Sequence, residues 1–216
     1  MTINLLKTNR IFLSTFFLIW IVTFVWVTTA SKFNQMEWIN SHNSSWADTF
    51  FWLATQLGEG GFFVLVIIVC LFIKIEYSAM FALAFIISTI ISQGLKLLFH
   101  SPRPLAFFEK LNHPWHFVDG IEVHIANSFP SGHTTTAFTI FTLIAFIGAN
   151  KKISPIWVLV ASLTGYSRSY LFQHFPEDVL GGAIVGLLSS ILAYNWIKSH
   201  PKEVYAKALL RKIGNS

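Results

Sequence analysis

Twenty consecutive residues, Ile11 to Ala30, carry no charge, and five further apolar runs follow at approximately 50–75, 79–99, 133–149, 153–171 and 179–197. About 20 apolar residues cross the hydrocarbon core of a bilayer as a helix. Lipid offers no partner to an open N–H or C=O, so a spanning segment has to satisfy its own backbone. The expected fold is therefore all-α: a polytopic membrane protein, one domain over residues 1–216, with a bundle of six transmembrane helices. Only 12% of the residues are charged, against roughly 25% in soluble domains. The first run follows Lys7 and Arg10 as a signal peptide would. It exceeds the ~7–15 residues of a signal core and is read as an uncleaved span.

Charge sets the expected orientation. Ten of the 15 basic residues (Lys7, Arg10, Lys74, Lys151, Lys152, Lys198, Lys202, Lys207, Arg211 and Lys212) fall on one side of a six-span chain. Eight of the ten acids fall on the other. Basic loops stay in the cytoplasm. Both termini are thus expected inside, with residues 31–61, 100–132 and 167–178 outside. In a bacterium this is the inner, cytoplasmic membrane, with the outer segments facing the periplasm or the exterior. The net charge of +5 then belongs to topology and the lipid surface. No nucleic-acid module accompanies it. The single cysteine, Cys70, sits in an apolar run and reads as packing. His113, His116 and His124 share the outer connection 100–132. They lack a further ligand at metal-site spacing and read as loop histidines. Phe107, Phe108, Trp115 and Phe117 mark this connection as a cover for the outer face or a segment dipping into lipid.

Three outer cations, Lys96, Arg103 and Arg168, run against the charge bias at or near span ends, where an anionic ligand would explain them. Lys96 and Arg103 belong to Lys-Leu-Leu-Phe-His-Ser-Pro-Arg-Pro, residues 96–104. Ser128-Phe129-Pro130-Ser131-Gly132-His133 opens the fourth run. There the free N–H groups of a helix start, the Ser131 hydroxyl and the close backbone approach allowed by Gly132 suit an anion. In Ser167–Asp178, Arg168 offers a planar cation, His174 a nucleophile, acid or base, and Asp178 a carboxylate four residues on. A helix beginning near Pro176 would let Asp178 reach an imidazole nitrogen. Cations for equatorial oxygens, an in-line nucleophile and a proton donor are what phosphoryl transfer requires.

In order and spacing, Lys-x6-Arg-Pro, Pro-Ser-Gly-His and Ser-Arg-x5-His-x3-Asp resemble the three motifs of the type 2 phosphatidic acid phosphatase (PAP2) superfamily. The resemblance covers residues from about 50 to 197. It implies a six-helix membrane lipid phosphatase with its site at the outer surface. The implied reaction is metal-independent, uses no cofactor and passes through a phosphohistidine. Carried onto this chain, His174 attacks phosphorus, Asp178 orients His174, and His133 is the general acid. Lys96, Arg103, Ser131, Gly132 and Arg168 hold the phosphate. The implied partner is a lipid phosphate: phosphatidic acid, phosphatidylglycerol phosphate, undecaprenyl diphosphate or a lipid A type. Relatives often carry glycine between the Arg and His of the third motif, where this chain has Leu171-Phe172-Gln173. Gln173 is expected to add a donor near the phosphate.

Two other classes compete. Soluble relatives with these motifs bind vanadate and act as haloperoxidases, which six apolar runs oppose. A six-span transporter would place polar residues in mid-span, whereas here charge gathers at one face.

Overall fold

The structure, a computed structural model, describes residues 2–200. The basic tail, with Lys202, Lys207, Arg211 and Lys212, lies outside the described residues. The helices are α1 (Thr2–Thr8), α2 (Arg10–Thr29), α3 (Lys32–Ser41), α4 (Ser45–Gln56), α5 (Gly60–Ile73), α6 (Ile75–Phe99), α7 (Pro104–Phe107), α8 (Gly132–Ile147), α9 (Ser154–Tyr170) and α10 (Pro176–Ser199). A 3₁₀ turn, Lys151–Ile153, leads into α9. The described residues contain no strand.

By length and composition, three helical stretches suffice to cross a membrane: α2, α6 with its continuation α7, and α10. The bent pair α4 and α5 makes a fourth if counted as one broken span. The expected run 50–75 thus divides at residues 57–59, with a 52° bend, and α6 begins at Ile75 rather than 79. α8 and α9 have 16 and 17 residues. At ~1.5 Å per residue they measure about 24–26 Å, short of a ~30 Å hydrocarbon core. Packing explains α8: eleven of its residues are buried against neighbouring helices. Protein rather than lipid surrounds it, so bilayer thickness does not set its length.

α8 and α10 meet at the centre. A Cβ on Gly182 would fall 2.6 Å from the Ser131 carbonyl oxygen, so only glycine admits this approach, as small-residue packing of α10 requires. Ser190 Oγ donates to the Thr139 carbonyl at 3.0 Å further along the same contact. Replacing Gly182 with valine should cost about 1–3 kcal/mol by overpacking. It should lower the melting temperature in detergent; an unchanged melting temperature would contradict the contact.

Residues 100–132 fold over one end of the bundle. Phe108, Trp115, Phe172 and Phe175 pack with Phe33 and Met36 of α3. Asn40 pins the layer by exchanging two 2.8 Å hydrogen bonds with the backbone of His116. His113 and His116 pair with different carboxylates, Glu37 at 2.6 Å and Asp48 at 3.0 Å.

Candidate active site

Three helix ends bring the polar motifs together. α6 ends at Phe99, the φ of 43° at its C-cap His100 turns the chain, and helix resumes only at Pro104, the first residue of α7. The Arg103 N–H donates to the Ile125 carbonyl and the Ser128 N–H to the Ser101 carbonyl, both at 2.9 Å, which ties the two ends of the connection 100–132. α8 begins at Gly132 because Ser131 is its N-cap. α9 carries Arg168 in its last turn. The following turn then wraps round that residue: the Gln173 and His174 N–H groups both donate to the Arg168 carbonyl, at 2.8 and 3.1 Å. Phe175 caps α10 and Pro176 starts it, as the sequence requires. The Ser131 N–H donates to the Asp178 carbonyl at 3.0 Å and joins the second motif to the third.

Asp178 and His174 are both 1% exposed. Their carboxylate Oδ2 and imidazole Nδ1 stand 3.4 Å apart, at the long end for a hydrogen bond. The same Oδ2 accepts the Ser128 hydroxyl at 2.5 Å and the Phe175 N–H at 2.9 Å. Ser128 Oγ also lies 3.4 Å from His174 Nδ1. It is therefore a third member of this group, unassigned from sequence because its role depends on a residue 50 positions away. Burial, and then the charges of Arg103, Arg168 and Lys96, hold the His174 pKa well below the ordinary 6.5. The imidazole is neutral at pH 7, the state in which it can attack.

The two arginines are held by uncharged partners rather than by carboxylates. Arg103 donates through Nε to the Ala126 carbonyl (2.9 Å) and through Nη1 to Gln173 Oε1 (3.0 Å). Arg168 donates through Nη1 to Thr55 Oγ1 at 2.7 Å, while its buried Nε has no partner. Lys96 Nζ reaches within 4.0 Å of where a Cβ on Gly132 would stand. Among the described residues none of the three forms an ion pair with a carboxylate. Buried guanidinium groups without counter-charge are costly unless an anion completes them. Ser131 Oγ accepts from Thr134 Oγ1 at 2.9 Å and from the Thr134 N–H at 3.4 Å. It therefore stands at the mouth of α8, where its hydroxyl was expected. Gln173 differs from expectation. Its Nε2 donates to the Glu122 carbonyl at 2.8 Å and its Oε1 serves Arg103. It steadies a cation, and its donor is engaged by the Glu122 backbone.

His133, beside Gly132, directs Nε2 at Glu59 Oε1, 2.7 Å away. Glu59 lies in the break between α4 and α5. In sequence, Gly58-Glu59-Gly60-Gly61 is legible as a helix interruption but not as a partner for a residue 74 positions on.

Comparison with known proteins places these motifs in a wider group. The chain is 33% identical over 112 residues to the bacitracin transport permease protein BcrC of Bacillus licheniformis, covering 52% of this chain and 51% of that protein. It is 34% identical over 108 residues to the undecaprenyl-diphosphatase BcrC of Bacillus subtilis, covering 50% and 51%. The match thus spans about half the length of these curated relatives. Among solved structures, Aquifex aeolicus LpxE superposes with a TM-score of 0.66 at 31% identity, covering 76% of this chain and 94% of that one. The PAP2 superfamily profile matches residues 77–202, more than half of the chain and every motif described above. This protein therefore belongs to the PAP2 superfamily.

Proposed function

We propose that the protein is an integral membrane phosphatase that hydrolyses a phosphate monoester or diphosphate of a membrane lipid. What carries the proposal is the meeting of two features: three cations without a carboxylate partner among the described residues, and an imidazole kept neutral by burial and then by those same charges. Bound phosphate supplies the missing anion. Its dianionic charge is shared by Lys96, Arg103 and Arg168, with the Gly132 N–H and the Ser131 hydroxyl at the α8 N-terminus. The cations thereby fill the role that a metal ion plays in other phosphoryl-transfer sites.

His174 attacks phosphorus with one ring nitrogen while Asp178 holds the other and stabilises the charge that develops. The bond from phosphorus to the leaving oxygen breaks, and His133 protonates that oxygen. Water then attacks the phosphohistidine, gives its proton to His133, and the P–N bond breaks. The substrate is amphiphilic: phosphatidic acid, phosphatidylglycerol phosphate, undecaprenyl diphosphate or a lipid A type. We place the chain in a bacterial cytoplasmic membrane as a single six-span domain. α4–α5 forms one broken span, α8 and α9 are short inner spans, both termini are cytoplasmic, and the site faces outward.

The two BcrC relatives carry different names, one of transport and one of diphosphatase activity. The chemistry of the site favours the second, because an activated nucleophile serves no purpose in a passive pore. Purified protein in mixed micelles should release inorganic phosphate from at least one of these lipids, with no loss of rate in EDTA. Absence of release from the whole panel, or a strict need for added metal, would overturn the proposal.

A further inference from the structure

We infer that Glu59 is a positioning residue for the proton donor, an inference that rests on the phosphatase assignment above. Glu59 belongs to none of the three motifs, yet its Oε1 lies 2.7 Å from His133 Nε2. The backbone of the break is fitted to this contact. A Cβ on Gly58 would fall 2.8 Å from both the Cβ and the carbonyl oxygen of His133. Any side chain at position 58 would push the break, and Glu59 with it, away from the ring.

The surroundings suit a carboxylate. A polar cavity of about 160 Å³ adjoins the pair, lined by Ser92, Gln93 and Thr136 as well as by Gly58, Glu59 and His133. It has room for water, and Ser92 Oγ has no protein partner. A broken helix at membrane depth is tolerated where it lines such a cavity. The 52° break between α4 and α5 therefore places one carboxylate beside the imidazole.

The chemistry gives that carboxylate a task. Burial, and then the charges of Arg168 and Arg103, oppose a positive charge on His133. Glu59 is the carboxylate that touches the ring. Its charge supports an imidazolium at His133, whose Nε2–H donates to Glu59. When substrate binds, the leaving oxygen takes that proton as its bond to phosphorus breaks and phosphorus joins His174. His133 is then neutral. In the second half, water loses a proton to His133 Nε2, its oxygen bonds to phosphorus, and the P–N bond breaks. His133 finishes protonated and returns to Glu59, with no net change in either group.

The test is leaving-group dependence. An alkyl alkoxide must be protonated as it leaves, whereas p-nitrophenolate departs as a stable anion. kcat/KM should be measured for a dialkylglycerol phosphate and for p-nitrophenyl phosphate, in wild type, Glu59→Gln and Glu59→Asp. In Glu59→Gln the ratio of the alkyl to the aryl value should fall at least about tenfold, within the range general acid catalysis supplies. Glu59→Asp, which keeps the charge, should recover part of that ratio. An equal loss on both esters would assign Glu59 a merely structural role, and an unchanged ratio would exclude it from proton delivery; either overturns the inference. If wild type hydrolyses neither ester, the phosphatase assignment fails first. If His174→Ala is inactive while Glu59→Gln keeps the wild-type ratio, this inference alone fails.

Discussion

His174→Ala should reduce phosphate release by at least about 10³-fold, the scale on which losing a nucleophile is felt in other covalent mechanisms. In the proposed mechanism the imidazole attacks phosphorus, and burial followed by the charges of Arg103, Arg168 and Lys96 keeps it neutral. Neither Ser128 nor Ser131 is placed to replace it. The Ser128 hydroxyl is committed to Asp178 at 2.5 Å, and Ser131 caps α8. The variant should still fold, because α9, α10 and the turn between them are fixed by backbone bonds to the Arg168 carbonyl rather than by the ring. It should also still bind inorganic phosphate, since the cations keep their own partners. Turnover at the wild-type rate in a folded, phosphate-binding His174→Ala protein would remove the proposed nucleophile.

The second large effect is expected at Asp178. Asp178→Asn keeps the shape of the side chain and removes its charge. One oxygen of this carboxylate collects the Ser128 hydroxyl, the Phe175 N–H and the approach of His174 Nδ1. An amide can turn its oxygen to those donors, so α10 keeps its cap. It cannot stabilise the positive charge that develops on the imidazole during attack. In a histidine–carboxylate pair of this kind, the same exchange costs up to about 10⁴-fold in kcat. A loss of about 10²–10⁴-fold in kcat with KM changed much less is the expected outcome, measured with the best lipid of the panel. A loss confined to KM would make Asp178 a binding group and contradict the orienting role.

The chemistry-bearing residues were more legible in sequence than the membrane geometry. Lys96, Arg103 and Arg168 stand out because the charge rule that places basic residues inside leaves them unexplained. His174 and Asp178 are visible because the Pro176 start fixes their spacing. What the sequence could not show was who holds whom. Thr55 meets Arg168 across 113 positions, and Ser128 meets Asp178 across 50. Such partners are set by packing, and a single sequence carries no trace of it. Gln173 is a related case: an amide beside a cationic site suggests a phosphate donor, but its N–H group is engaged by the Glu122 carbonyl, 51 positions away. On the fold, hydropathy found α2, α6 and α10, whose lipid-facing sides demand apolar length. It marked α8 as 133–149 against the observed 132–147, and it showed the glycines that interrupt 50–75 without showing that the break brings Glu59 to His133.

The close seam between α8 and α10 carries a consequence for how such a fold can be recombined. Ser131 is tied to the Asp178 carbonyl by its N–H and crowds Gly182 with its own carbonyl. One residue thus couples the anion-binding loop to the helix that bears the carboxylate. A chimaera that exchanges residues 128–147 with a relative while keeping residues 173–190 would split a matched pair. Exchanging both blocks together would move them as one cassette, and the arginine on the connection 100–132 could then be varied around it.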